Sequence, residues 1–375
     1  MTLECIPPGA HRQFPGGVTE RGDGGQIALM ALQQPVARGR VGAMDHKPLP
    51  DISPRTWEHP ADRAALAALK QVPGLNDVVK FFLGMTGEKS IRLIFLASAV
   101  RVNERQFPKL DALVNEACRV LDVSDKPELF VTQNPALNAG AVGVKRPFVT
   151  INSSILDTLT EEETLAVIAH EIGHILSGHV LYKTLLWFLL NIASVAIRIP
   201  VAQIVLLGVL MALKEWDRKS ELSADRAGLL VVQNPEVSTT TLMKLAGGKH
   251  LDEMSIDEFT AQAEEYDAGG DLLDGIYKVL NLMGQSHPFP VLRVNALREW
   301  TANGSYEKIL AGEYAKRTAE EENVAEDISE ATRQYREDLK WSKDPFAQAV
   351  NNLSEGLDSV RKEAERFFGN MFGQR

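Results

Sequence analysis

Cysteine is almost missing: 375 residues hold two, Cys5 and Cys118. That excludes a disulfide scaffold and makes a reducing compartment the simpler setting. Any metal site therefore has to be built from histidine and carboxylate. Positive charge is also short. Forty Lys and Arg stand against fifty Asp and Glu, a formal net charge of −10. This balance argues against a nucleic-acid partner, because proteins that bind nucleic acid usually carry a basic face. Near the start there is no apolar run long enough for a secretory h-region, since the patch at 27–32 is too short. The chain is expected to lack a secretory signal and to work in the cytoplasm or on the cytoplasmic side of a membrane. No internal repeat stands out.

What is present is enough apolar residue, 45%, to bury one large core or two smaller ones. Residues 1–50 mix Gly, Pro, Gln and Arg and are expected to be unstructured; alternatively, translation starts at Met44. Residues 51–314 form the body, and 315–375 carry charged and amphipathic helices near 315–340 and 346–371. Within the body, 51–82 reads as helical, ending near Gly84. The run at 91–96 reads as a strand. Residues 109–121 repeat apolar side chains at Leu110, Leu113, Ala117 and Val120, a helix. A second strand is expected at 128–132, and a hairpin at 139–144 and 148–151 around Lys145-Arg146-Pro147. Thr160 followed by Glu161, Glu162 and Glu163 opens a further helix, with Thr160 and Glu163 spaced for a capping box.

That helix carries His170-Glu171-Ile172-Gly173-His174. Four residues apart on a helix, the two imidazoles share a face and can grip one cation. Glu171 projects about 100 degrees round the axis, near a bound water but off the metal. Zinc lowers the pKa of such a water, and a carboxylate can take its proton and pass it to a leaving amine, which is the chemistry of peptide hydrolysis. The alternative is two histidines packed on a helix face, and the capped amphipathic helix speaks against it. A catalytic zinc needs a third protein ligand. Val180 stands where a metzincin would need histidine, and His179 falls off the ligand face. The best candidate is Glu221, in Glu221-Leu222-Ser223-Ala224-Asp225. Asp225, one turn on, is placed to fix the tautomer of a ligand histidine. The alternative for this pair is a solvated acidic face.

Together these residues resemble the peptidase family of HtpX and the CAAX prenyl protease type 1. Asn138-Ala139-Gly140-Ala141 and Ser286-His287-Pro288 with Arg293 are similar to further segments of that family, and the likeness runs from about 109 to 298. The resemblance implies an α+β, mainly helical gluzincin fold with a small sheet packed on the active-site helix. It implies a zinc-dependent endopeptidase with one zinc on His170, His174 and Glu221, and Glu171 as general base. Asn138 and Ala139 would lie on an edge strand where a protein or peptide substrate docks. His287 would stabilise the oxyanion, or else be a buried histidine at a helix start. Arg293 would pair with an active-site carboxylate or with a surface one. The competing function is a zinc-stabilised binding or chaperone-like protein with little cleavage.

Residues 184–213 form two apolar arms of about 14 residues around Arg198 and Pro200, each short of the roughly 20 a full crossing takes. His174 and Glu221 must reach one metal, so the stretch crosses a membrane either not at all or twice. It is either a buried helical hairpin or a membrane-associated one, and the resemblance raises the second option. In the tail, Phe346, Val350, Leu353, Leu357 and Val360 space out a heptad seam. It serves either packing on the body or, with Arg361, Lys362 and Arg366, self-association or lying on a membrane surface.

Overall fold

The computed structural model describes residues 46–72, 75–85, 88–196, 200–268, 287 and 289–319. The hairpin tip at Arg198 and the tail helix at 346–371 lie outside the described residues, as do residues 1–45 and most of 315–340. Residues 46–50, within the stretch expected to be unstructured, are packed. Leu49 is fully buried and its N–H donates to the Val120 carbonyl at 2.9 Å. At the other end, Lys316 bridges back to Ile52, and the Ser53 N–H donates to the Ala315 carbonyl. The described body thus runs slightly past both expected boundaries.

The chain begins with helices Pro60–Leu69 (α1), Leu75–Met85 (α2) and Glu88–Ser98 (α3). Strand Val100–Arg101 (β1), helix Pro108–Val120 (α4) and strands Leu129–Thr132 (β2), Ala139–Val142 (β3) and Phe148–Asn152 (β4) follow. Then come Ser153–Thr158 (α5), Glu161–Leu176 (α6), Val180–Ala196 (α7), Pro200–Val232 (α8) and Pro235–Gly247 (α9). Ile256–Ala268 (α10), Pro290–Ala302 (α11) and Ser305–Ala311 (α12) are the last described α-helices, followed by a 3-10 turn at Arg317–Ala319. This is the α+β, mainly helical class that the sequence led us to expect. The sheet order is β1-β2-β4-β3, with β2 parallel to β4 and the other pairs antiparallel. The expected hairpin is β3–β4, and β3 is its outer edge among the described strands.

Two expectations are corrected. Residues 91–96 are not a strand but part of α3. Phe130 and Phe148 project from one face of the sheet and need cover. Ile91 and Phe95, one helical turn apart, supply it, with Phe95 5.1 Å from the Phe148 ring. Leu93 and Ile94 point outward, each about 60% exposed, as a helix and not a central strand would leave them. Residues 51–82 are also not one helix, because α1 ends at Leu69 and the chain turns at 70–72.

The larger core gathers α4, α6, the other face of the sheet, and the ends of α8 and α11. A second cluster joins Ala64, Leu69, Leu75 and Phe82 of α1 and α2 to Leu185, Leu186 and Leu189 of α7 and to Leu210, Leu213 and Trp216 of α8. The apolar arms thus pack on protein where they are described. No helix among the described residues is long and apolar enough to cross a membrane.

Candidate metal centre

The active-site helix starts as its sequence requires. The Glu163 N–H donates to Thr160 Oγ1 at 3.2 Å, and the Thr160 N–H donates to the Glu163 carboxylate at 2.8 Å. Three carboxylates in the first turn complement the helix dipole. From that fixed start, His170, Glu171 and His174 fall on the buried side of α6, facing α8.

Small residues meet where α6 crosses α8, and they leave no room for a further Cβ. A Cβ on Gly173 would lie 2.6 Å from the Ala227 Cβ, and one on Gly228 would lie 3.0 Å from the Ala166 carbonyl oxygen. Gly173→Ala gains up to about 1 kcal/mol of helix propensity, but overpacking costs about 1–3 kcal/mol. The Ala227 Cβ moves only with its backbone, so we expect a net loss of stability. A lower melting midpoint of the metal-free protein would report it, and an unchanged midpoint would mean the crossing has slack.

This approach brings Glu221 of α8 to both histidines. Its carboxylate oxygens lie 3.4 Å from His170 Nε2 and 3.2 Å from His174 Nε2. His170, His174, Glu221 and His287 each offer one atom within 4.8 Å of the others, so these four could hold a metal ion. His170 Nε2 and His174 Nε2 are buried and have no hydrogen-bond partner, and neither has Glu171 Oε2. Buried polar atoms are rarely left so. Two imidazole nitrogens and a carboxylate are also the donor types that zinc prefers.

The outward nitrogens are occupied. His170 Nδ1 lies 3.0 Å from Asp225 Oδ1. Arg293 grips Asp225 through two charge-assisted bonds of 2.7 and 2.6 Å, and its Nη1 lies 3.2 Å from Glu221. Arg293 thus pairs with buried carboxylates, not with a surface one. Burial pushes the His170 imidazolium down, but Asp225 and Glu221 outweigh it and raise it to about 9. His174 is held well below the ordinary histidine range by burial and by nearby Lys183. Burial would raise the Glu221 carboxyl, yet His287, Lys183 and Arg293 together hold it well below the usual carboxylate range.

Sequence reasoning missed several neighbours. Lys183 of α7 donates to Glu221 at 2.6 Å and to Asp217 at 2.7 Å. His179 is outside the four-residue cluster, but its Nδ1 lies 2.9 Å from His174 Nδ1. The available signal was Ser177-Gly178: α6 stops at Leu176 and Gly178 turns left-handed, φ +70°. A helix carried through this point would have pointed His179 elsewhere.

Beside the cluster, a cavity of about 550 Å³ opens between α6, α9 and α11. Asn138, Ala139, His170, Glu171 and His287 line it, together with Leu242 and Leu245 of α9. The Asn152 N–H donates to the Asn138 carbonyl. By antiparallel alternation, Ala139 and Ala141 therefore turn their backbone groups away from β4. His287 bridges this edge to the centre. Its Nε2 lies 3.0 Å from the Ala139 carbonyl oxygen and 3.7 Å from Glu171, and its Nδ1 lies 2.7 Å from Glu221.

Residues 104–301, just over half of the chain, match the family model described as Peptidase family M48. Among relatives, the plastoglobule-localized metallopeptidase 48, chloroplastic, of Arabidopsis thaliana is 34% identical over 277 residues, covering 72% of this chain and 79% of that protein. Protease HtpX homolog 2 of Methanosarcina acetivorans is 25% identical over 191 residues, 44% of this chain and 65% of that protein. Protease HtpX of Yersinia enterocolitica is 32% identical over 80 residues, 21% of this chain and 27% of that protein. No solved structure matches the chain.

Proposed function

The chain belongs to peptidase family M48, and on that footing we propose a zinc-dependent endopeptidase in which His170, His174 and Glu221 hold the metal and Glu171 is the general base. The supporting observation is the pair of buried, unpartnered Nε2 atoms of His170 and His174, each within 3.4 Å of the Glu221 carboxylate. Leaving a buried polar atom unsatisfied costs about 1–3 kcal/mol, and a cation held between them removes that cost for both.

A bound zinc supplies Lewis acidity toward water and toward a carbonyl oxygen. The remaining roles belong to the chain's own side chains. Glu171 Oε2 takes a proton from the attacking water and returns it to the departing amine nitrogen. His287 donates from Nε2, exchanging the Ala139 carbonyl for the oxygen that gains charge in the tetrahedral adduct. Asp225 accepts from His170 Nδ1–H and so leaves Nε2 free for the metal, while Arg293 holds Asp225 in place. The outward backbone groups of Ala139, with Asn138 at the start of the strand, pair with an extended substrate. Backbone pairing reads little sequence, which fits unfolded or membrane-associated protein as substrate. Between the two readings of residues 184–213, the packing of Leu185, Leu186 and Leu189 on α1 and α2 favours the buried hairpin.

Protein purified without chelator should carry about one zinc per chain, lose casein cleavage in 1,10-phenanthroline and regain it when zinc is added back. Undiminished cleavage by metal-free protein would rule the proposal out. Zinc retained with no cleavage of any unfolded substrate would favour the zinc-stabilised binding protein instead.

A further inference from the structure

α1 precedes the residues that match the family model, yet its single carboxylate, Asp62, points toward the metal centre. Asp62 is buried and accepts from Trp216 Nε1 at 3.1 Å and from Ser223 Oγ at 2.6 Å. Its Oδ2 also lies 3.0 Å from His179 Nε2. The other ring nitrogen of His179 meets His174 Nδ1 at 2.9 Å. The backbone holds the two rings together. The His179 N–H donates to the His174 carbonyl and the Gly178 N–H to the Ile175 carbonyl, the paired closure of a Schellman motif. That closure depends on the left-handed Gly178.

From these contacts we infer that Asp62 and His179 form a relay that fixes the tautomer of His174, doing for this ligand what Asp225 does directly for His170. The positions of the protons set the direction of the relay. An ionised Asp62 has none to give, so His179 Nε2 must carry the hydrogen between them. In a neutral ring His179 Nδ1 is then an acceptor. Of two facing Nδ1 atoms one must donate, so His174 Nδ1 carries its hydrogen and His174 Nε2 keeps its lone pair. That lone pair is on the buried nitrogen that faces Glu221. His179 and Asp62 are thus positioning residues. The outer nitrogen of His170 meets a carboxylate of α8 directly, whereas that of His174 meets a second ring, through which α1 supplies the carboxylate.

The inference rests on the zinc reading above, and its test separates the two. Full-length protein is loaded with zinc and titrated with a chelator of known affinity. Asp62→Asn lets the new amide donate to His179 Nε2, which reverses both rings, and His179→Phe removes the acceptor. Each is expected to weaken zinc binding about 10–100-fold. Ser223→Ala removes one bond to Asp62 but leaves the relay whole, and should keep wild-type affinity even if the metal-free protein melts lower. ¹⁵N spectra of histidine-labelled, zinc-loaded wild type need no variant. They should show His179 with a bare Nδ1 and a protonated Nε2. A protonated His179 Nδ1 in that state, or wild-type zinc affinity in Asp62→Asn, overturns the relay alone. A wild type that binds no zinc overturns the metal reading and the relay with it.

Discussion

Glu171→Gln should bind zinc as the wild type does and cleave casein about 10²–10⁴-fold more slowly, the usual contribution of a positioned general base. Glu171 is on α6 between His170 and His174, the proposed ligands, but is not one of the four residues whose atoms converge. Its carboxylate is almost fully buried, with one oxygen 3.7 Å from His287 and the other without a partner. Glutamine fills the same volume and keeps an oxygen, so packing and metal binding should survive. What it cannot do is hold a transferable proton. Zinc content by atomic absorption and release of soluble peptides from casein separate these effects. Wild-type cleavage by the variant would remove Glu171 from the mechanism. Loss of zinc would make it a structural element of the site instead. The same variant, still able to bind substrate, is the natural bait for capturing cellular targets.

The centre was legible in the sequence where its geometry is local. Four-residue spacing on one helix fixes how His170 and His174 sit, and Thr160 with Glu163 fixes where that helix starts. The same holds for Glu221 and Asp225, one turn apart on α8. What was not legible depends on partners distant in sequence. Residues 91–96 contain six residues, five of them apolar, and a run that short fits a strand or a helix; the aromatic face of the sheet decided it. After residue 213 the composition changes from apolar to polar, yet no helix boundary falls there. It is one helix, Pro200–Val232, because Lys214, Asp217, Ser220, Glu221 and Asp225 are buried among paired charges, not exposed. Asp62 could not have been found from sequence at all. Its link to His174 passes through a ring 117 positions later in the chain.

Substituting Glu221 should have the largest effect on the metal itself, and it also decides which of two carboxylates is the ligand. Glu221 and Asp225 are on the same face of α8, so spacing alone leaves them interchangeable. The contacts do not. Glu221 faces the inner nitrogens of both histidines at 3.2 and 3.4 Å, whereas Asp225 touches only the outer nitrogen of His170, at 3.0 Å, and is held by Arg293. Glu221→Gln therefore removes a ligand charge, and Asp225→Asn removes a support for one ligand. Loss of an outer partner costs about 10–100-fold in metal affinity. Glu221→Gln should exceed that and leave protein without stoichiometric zinc after dialysis, with casein cleavage at background. The variant also loses the charge that faces Lys183 at 2.6 Å, and a hydrogen bond to a charged group contributes about 1.5–3 kcal/mol. The metal-free protein should therefore melt lower as well, though Asp217 keeps Lys183 paired. Chelator competition on both variants gives the ordering directly. If Asp225→Asn is stripped of zinc while Glu221→Gln retains it, the two roles are exchanged, and the ligand set proposed for this chain is wrong at that position.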